Sequence, residues 1–236
     1  MTCTYKPGIT VITPTGYRAE ALERCAFYIS RQTIQPNEWV ICDDGPDNSP
    51  PISHPSIYLK RPSTDNKAKS FTGNVLNCLA HVSYDHVFIF EDDDWYHPRY
   101  IEHYMEHFKD VLLLGEKKAF YYNVKLRKYR VNGNTDRASF CQTAFKSSFI
   151  CKVMKLCEKK RDSAFVDARI WKYARENGIP NRLLDTRLCI GIKGMPGRKG
   201  IGIGHRPGGS FTSDRNWEVL KHRIGEDAQY YIDRFP

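Results

Sequence analysis

The hydrophobic pattern of the chain begins with a short β-branched run, Ile9-Thr10-Val11-Ile12, closed by Thr13-Pro14-Thr15-Gly16. That combination predicts a first strand followed by a turn. Ala19, Leu22, Ala26 and Ile29 then recur at helical spacing, which predicts a helix over about 18–32, ended before Pro36. Glu38-Trp39-Val40-Ile41-Cys42 reads as a second strand, closed by Asp43-Asp44-Gly45-Pro46. Strand, helix, strand in this order is a βαβ unit, so a parallel sheet with a right-handed crossover is expected. A polar, Pro-rich stretch over 46–70 carries one short strand at Ile57-Tyr58-Leu59. Phe71, Val75, Leu79 and Val82 place a helix over about 70–82. His86-Val87-Phe88-Ile89-Phe90 has the length and continuous apolarity of a strand buried on both faces. Pro98 opens a further helix to about 109.

Beyond residue 115 the alternation of strand and helix loosens. Strands are predicted near 118–124, 138–146 and 183–192, helices near 147–158 and 163–177, and one or two short helices over 214–233. Eight of the 16 glycines fall within 191–209, which marks a loop-rich, flexible segment. The expected architecture is one α/β domain over 1–236, with a first half to about 110 and a second, mixed half over 111–236.

Composition narrows the class. The chain has 236 residues, 41% hydrophobic and 13% aromatic, enough to build a core and to exclude general disorder. No apolar run approaches the roughly 20 residues of a bilayer span; Val87–Phe90 and Val111–Leu114, for example, are four residues each. The N-terminus lacks the basic-then-apolar pattern of a signal peptide. The eight cysteines show no C-x-x-C pair, and most sit in apolar segments, as reduced core thiols do. A soluble, cytoplasmic protein is therefore expected.

Charge is uneven. Residues 1–114 carry 10 Lys+Arg against 15 Asp+Glu, and residues 115–236 carry 26 against 12. A strongly basic second half suits an anionic partner: a nucleotide, a nucleic acid or an anionic lipid.

The sharpest chemical feature is Glu91-Asp92-Asp93-Asp94, directly after the buried strand. Like charges crowded at one point need a counter-charge. In open parallel sheets, ligands bind outside the carboxyl ends of the strands. Hard oxygen donors there suit Mg2+ or Mn2+, which would in turn grip a phosphate. A solvated turn capping the next helix is the plainer alternative. His103-Tyr104-Met105-Glu106-His107 matches an H-x-x-E-H pattern. Its two histidines, however, lie opposite the face formed by Ile101, Tyr104, Met105 and Phe108, which argues against a zinc protease.

Taken in order, several segments resemble the glycosyltransferases of the GT-A fold, in particular the family-2-like inverting enzymes. Val11-Ile12-Thr13-Pro14-Thr15-Gly16-Tyr17-Arg18 is similar to that family's first strand and nucleotide loop. Glu38–Gly45 resembles its second strand. Asn66 and Asn74 match the spacing of two asparagines before the metal motif. Phe90-Glu91-Asp92-Asp93-Asp94-Trp95 resembles D-x-D-D-W, with Glu91 in place of the first Asp. Val166-Asp167-Ala168-Arg169-Ile170-Trp171 is similar to the helix that carries the base, with Val166 in place of a Glu. Gly73 stands where an Arg usually precedes the second Asn.

The resemblance implies a GT-A fold, with a Rossmann-like nucleotide-binding half and a smaller acceptor-side half, and a nucleotide-diphosphate sugar as donor. It implies donor contacts from Pro14, Thr15, Tyr17, Arg18, Asp43, Asp44, Asn74 and Asp92, with Lys67 or Lys69 supplying the diphosphate contact that Gly73 does not. It implies Mn2+ or Mg2+ held by Glu91, Asp93 and His205, and Asp167 as the base that takes the acceptor's proton, with Asp162 as fallback. The acceptor expected from the basic half is anionic, a phosphate-bearing glycan lipid or a modified nucleic acid. A non-catalytic nucleic-acid-binding α/β protein and a nucleotidyltransferase are the alternatives. The four carboxylates count against the first, and the lack of a Gly-rich phosphate loop after the first strand counts against the second.

Overall fold

The computed structural model describes residues 4–45, 56–163 and 165–236. The Pro-rich segment 46–55, Cys3 and the start of the chain, on which several sequence expectations fall, lie outside the described residues. In chain order the elements are β1 (Lys6–Thr15), α1 (Ala19–Ser30), β2 (Glu38–Asp43), β3 (Ser56–Lys60), α2 (Lys67–Leu79), β4 (Tyr84–Ile89), β5 (Trp95–Tyr96), α3 (Tyr100–His107), β6 (Leu113–Glu116), β7 (Phe120–Asn123), β8 (Lys128–Val131), β9 (Thr143–Lys146), α4 (Ile150–Glu158), α5 (Val166–Glu176), β10 (Asn181–Leu184), β11 (Cys189–Lys193), β12 (Thr212–Ser213), α6 (Glu218–Ile224) and α7 (Ala228–Arg234).

Seven strands form the central sheet in the order β10-β6-β9-β4-β1-β2-β3. The pairs β4-β1, β1-β2, β2-β3 and β6-β10 are parallel, and β9 runs antiparallel between β4 and β6. Side chains alternate across a strand, and the sheet sorts them into two cores. Val11, Trp39, Ile41 and Phe88 face α1, α3 and the C-terminal helices. Ile12, Val40, Cys42, Val87 and Ile89 face α2, α4 and α5. Both faces are covered, which is why the central strands read as continuous apolar runs. The smaller sheet, β12-β8-β7-β11-β5, is mixed and packs into the first core.

The predicted βαβ unit is present, and the chain leaves β1 toward β2 on one side and, through α2, toward β4 on the other. This puts a topological switch point at the carboxyl end of β1, where crevices form. Some boundaries differ from expectation. α2 starts at Lys67 because Asn66 accepts the backbone N–H groups of Ala68 and Lys69 (3.1 and 3.0 Å), capping a polar first turn that apolar spacing does not register. The single strand expected over 183–192 is two, β10 and β11, in different sheets. β6, of four residues, and β8, a polar strand between β12 and β7, were not anticipated. Where the expected strand and the Gly-rich loop overlap, at Gly191 and Ile192, the strand prevails, and β11 extends to Lys193.

Glu116 explains the break between β10 and β11. Its carboxylate, fully buried at the end of β6, accepts the N–H groups of Leu188 (2.8 Å) and Cys189 (3.1 Å), the Thr186 hydroxyl (2.7 Å) and the Gln142 amide (3.3 Å). Glu116→Ala strands these donors inside the protein. A loss of about 2–4 kcal/mol is expected, read from the urea midpoint; a change within about 0.5 kcal/mol, the ordinary surface range, would contradict this role.

Candidate active site

A cavity of about 460 Å³ opens at the switch point. From the first half, Pro14, Thr15, Arg18, Asp44, Lys67, Asn74, Glu91, Asp92 and Asp94 reach its wall; from the second, Tyr121, Arg137, Asp167, Lys193, Arg198 and His205 do so.

The end of β1 is tied to the acidic run. Thr15 donates its hydroxyl to Asp92 Oδ2 (2.6 Å), and Arg18 Nη1 lies 2.6 Å from Asp92 Oδ1 and 3.1 Å from Asp93 Oδ2. Asn74, from α2, donates to the Thr15 carbonyl (2.7 Å) and to Asp44 Oδ1 (3.2 Å). Arg198, from the Gly-rich segment, reaches Asp44 Oδ2 (3.2 Å) and the Ser70 hydroxyl (3.1 Å), while its own carbonyl accepts Arg18 Nε (2.7 Å). Gly197 has φ +100 and sits against the Tyr17 carbonyl so closely that a side chain would collide with it. The segment therefore lies across the β1–α1 loop.

The second cation of the cluster is Lys193. Its Nζ stands 2.5 Å from Asp94 Oδ1, 3.0 Å from Asp93 Oδ1 and 3.9 Å from Glu91 Oε2. Burial alone would lower its pKa, but Asp93, Asp94 and Glu91 outweigh that and hold it well above the usual lysine value. Burial would raise Asp93 as well, yet Lys193 and Arg18 hold its carboxyl below the ordinary range. Its neighbours remain under-compensated. Burial lifts Glu91 well above its ordinary value, with Asp94 adding to it. Asp94 is pushed up to about 7 by burial, against the pull of Lys193. His205 is driven down to about 3 by burial, Asp93 notwithstanding, and so stands neutral with Nε2 3.5 Å from Asp93 Oδ2.

The cluster suits a divalent cation on three observations. Four carboxylates face two fixed cations, Arg18 and Lys193, so the cluster is two positive charges short whenever all four are ionised, and the raised pKa values of Glu91 and Asp94 reflect that shortage. Asp94 Oδ2 is buried without a hydrogen-bond partner. Glu91, Asp94 and Cys141 offer ligand atoms within 4.8 Å of one another.

The sequence-derived residues divide. Pro14, Thr15, Arg18, Asp44, Lys67, Asn74, Glu91, Asp92, His205 and Asp167 come together on the cavity wall. Asp93 lies behind the wall, engaged by Lys193, Arg18 and His205. Asp43 faces away from the cavity and is held by Tyr58, Lys60 (3.2 Å) and the Gly45 N–H (2.6 Å). Tyr17 is exposed, bonded to Ser63 (2.9 Å), and Lys69 is exposed off the wall. Asp162 is exposed and off the wall as well. Asp167, in the first turn of α5, is half-buried; burial raises its pKa, against the Ala168 N–H and Arg137. Beside it, Phe165 and Ile201 present exposed apolar surface to the cavity. Over Gly73 lies the guanidinium of Arg61, which donates to Asn74 Oδ1 (2.6 Å). His103, Glu106 and His107 cluster on α3, outside the cavity wall.

Lys193 was not anticipated, and Asp94, though part of the predicted acidic run, was not among the expected metal ligands. The signal for Lys193 was a lone cation ending an apolar strand, Cys189-Ile190-Gly191-Ile192-Lys193, which could not by itself name a partner about a hundred residues away.

The profile of Glycosyl transferase family 2 matches residues 10–160. The chain belongs to that family. That family, by its description one of glycosyl transferases, corresponds to neither the non-catalytic nucleic-acid binder nor the nucleotidyltransferase. Among solved structures, the mannosyltransferase PcManGT from Pyrobaculum calidifontis, in complex with GDP-Man and Mn2+, has a TM-score of 0.55 at 19% identity over 82% of this chain and 58% of that one. S. aureus TarS has a TM-score of 0.54 at 14% identity over 78% of this chain and 36% of that one. These likenesses establish the GT-A fold, and this family 2 chain spans well under two thirds of either protein. No curated protein matches it in sequence.

Proposed function

We propose that this glycosyltransferase moves a sugar from a nucleotide-diphosphate donor to an acceptor hydroxyl with inversion, assisted by Mn2+ or Mg2+. The observation that carries the reading is the carboxylate cluster, short of two positive charges, on the wall of a cavity at the switch point of the sheet. The mannosyltransferase of the same fold, whose complex contains GDP-Man and Mn2+, supports it.

In this reading the donor lies along Pro14, Thr15, Arg18, Asp44, Asn74 and Asp92. Lys67 and Arg198 border the diphosphate; Asp43, Tyr17 and Lys69 act only through neighbouring residues. Glu91 and Asp94, with Asp93 and His205 beside them, would hold the divalent ion. Its chemistry there is to neutralise charge that builds on the departing diphosphate.

Asp167 is the candidate base. Its carboxylate takes the proton of the acceptor hydroxyl as that oxygen attacks the anomeric carbon from the side opposite the diphosphate. Partial burial makes it a better base than a solvated Asp. Phe165 and Ile201 give the acceptor an apolar rim, and Arg137 a cation near Asp167, which fits an anionic acceptor such as a phosphate-bearing glycan lipid or a modified nucleic acid. A cytoplasmic setting fits the seven described cysteines, all free thiols. Among the described residues no helix is long and apolar enough to cross a membrane.

Asp167→Asn should lower kcat by about 10²–10⁴-fold and leave donor affinity unchanged. In the wild type, kcat/KM should fall as pH drops through a value above the ordinary Asp pKa of about 3.9, because only the ionised carboxylate accepts the proton. An undiminished rate in the variant removes Asp167 from the reaction. For an anionic acceptor, acceptor KM should rise steeply between about 50 and 200 mM salt; a flat response would point to a neutral acceptor.

A further inference from the structure

Lys193 reaches the cluster from the other half of the molecule. It ends β11, in the smaller sheet, and its ammonium stands at the carboxyl end of β4. The residue is 4% exposed. Gly204 packs against its stem so closely that a side chain there would meet Lys193 Cγ, and Asn123 fixes the Gly204 carbonyl at 2.9 Å. Lys193 is therefore held in place by packing rather than free to swing out.

Its position matters for Asp93. Asp93 Oδ1 is taken by Lys193 and Oδ2 by Arg18. A divalent ion arriving alone meets a site whose central carboxylate is already paired and whose local potential two cations have reduced. An ion arriving with a diphosphate brings two or more further negative charges and fresh oxygen ligands. These restore what the lysine and arginine have withdrawn.

We propose that Lys193 is a built-in counter-ion that makes divalent-cation binding conditional on the nucleotide, holding the empty cluster against metal uptake and admitting the ion together with the diphosphate. The inference rests on the nucleotide-sugar reading above. Coupling of this kind is reciprocal: the ion must tighten the nucleotide by the factor by which the nucleotide tightens the ion. Lys193 is a positioning residue, since it acts through Asp93 and Asp94.

The test is titration of Mn2+, followed by the EPR signal of the free ion, into the intact protein with and without UDP or GDP. Wild type should bind Mn2+ weakly alone and at least tenfold more tightly with the preferred nucleotide. Lys193→Met, checked for folding by circular dichroism, should bind Mn2+ alone at least tenfold more tightly than wild type and lose most of the coupling. Lys193→Arg, which keeps the charge, should behave as wild type. Should the Met variant not fold, the wild-type arm decides: Mn2+ binding equally tight with and without a nucleotide that itself binds overturns the inference and leaves the donor reading standing. Unchanged Mn2+ affinity in a folded Met variant overturns it too. Wild type that binds neither nucleotide, with or without Mn2+, overturns the donor reading and this inference with it.

Discussion

Four consecutive carboxylates crowded at the end of β4 would repel one another and unfold the loop that carries them if nothing opposed them. Arg18 and Lys193 supply that opposition, one from each half of the chain. Removing two cations and four anions from water is costly, and the cost is recovered only where the pairing is close and hydrogen-bonded. The observed contacts, from 2.5 to 3.1 Å, meet that condition for Asp92, Asp93 and one oxygen of Asp94. They do not meet it for Glu91 or for Asp94 Oδ2, and there the cluster is open to a further positive charge.

The same ion pairs organise the molecule around the cavity. β11 comes to the rim with Lys193 at its end. The Gly-rich segment that follows lies on the β1–α1 loop through Arg198 and Gly197 and reaches the acidic run through His205. Glu116 fixes the turn from which β11 starts. The second half of the chain is thus registered on the first by charge at the cavity and by hydrogen bonds behind it. Asp167, with the apolar rim of Phe165 and Ile201, lines the same cavity as the carboxylates.

Much of the first half is legible in the sequence because its signals are local. β1, α1, β2 and β4 combine β-branched runs or 3.6-residue spacing with Pro and Gly stops, and all four are found within a few residues of their expected bounds. The second half is less legible. β6 is four residues of an apolar run, β8 is polar, and the β10–β11 break depends on Glu116 about 70 residues earlier in the chain. The candidate site divides in the same way. Glu91–Asp94 announces itself by charge density, whereas Lys193 is invisible until the fold brings the end of β11, from the smaller sheet, to the acidic run. Asp43 and Asp44 are adjacent in sequence, yet only Asp44 reaches the cavity. Asp43 sits in β2 and bonds across to Tyr58 and Lys60 of β3, while Asp44, just beyond the strand, meets Asn74 and Arg198.

The most direct measurement is the thermal midpoint of the purified protein across a panel of nucleoside diphosphates and nucleotide sugars, with and without Mn2+. A ligand specific for the folded state raises stability in proportion to its affinity and concentration. If the carboxylate cluster holds a divalent ion against a diphosphate, one nucleotide family should raise the midpoint by several degrees with Mn2+ and by much less without it, and Glu91→Ala should erase the difference. A panel in which no nucleotide shifts the midpoint, or in which Mn2+ makes no difference to the one that does, would contradict the role assigned to the cluster.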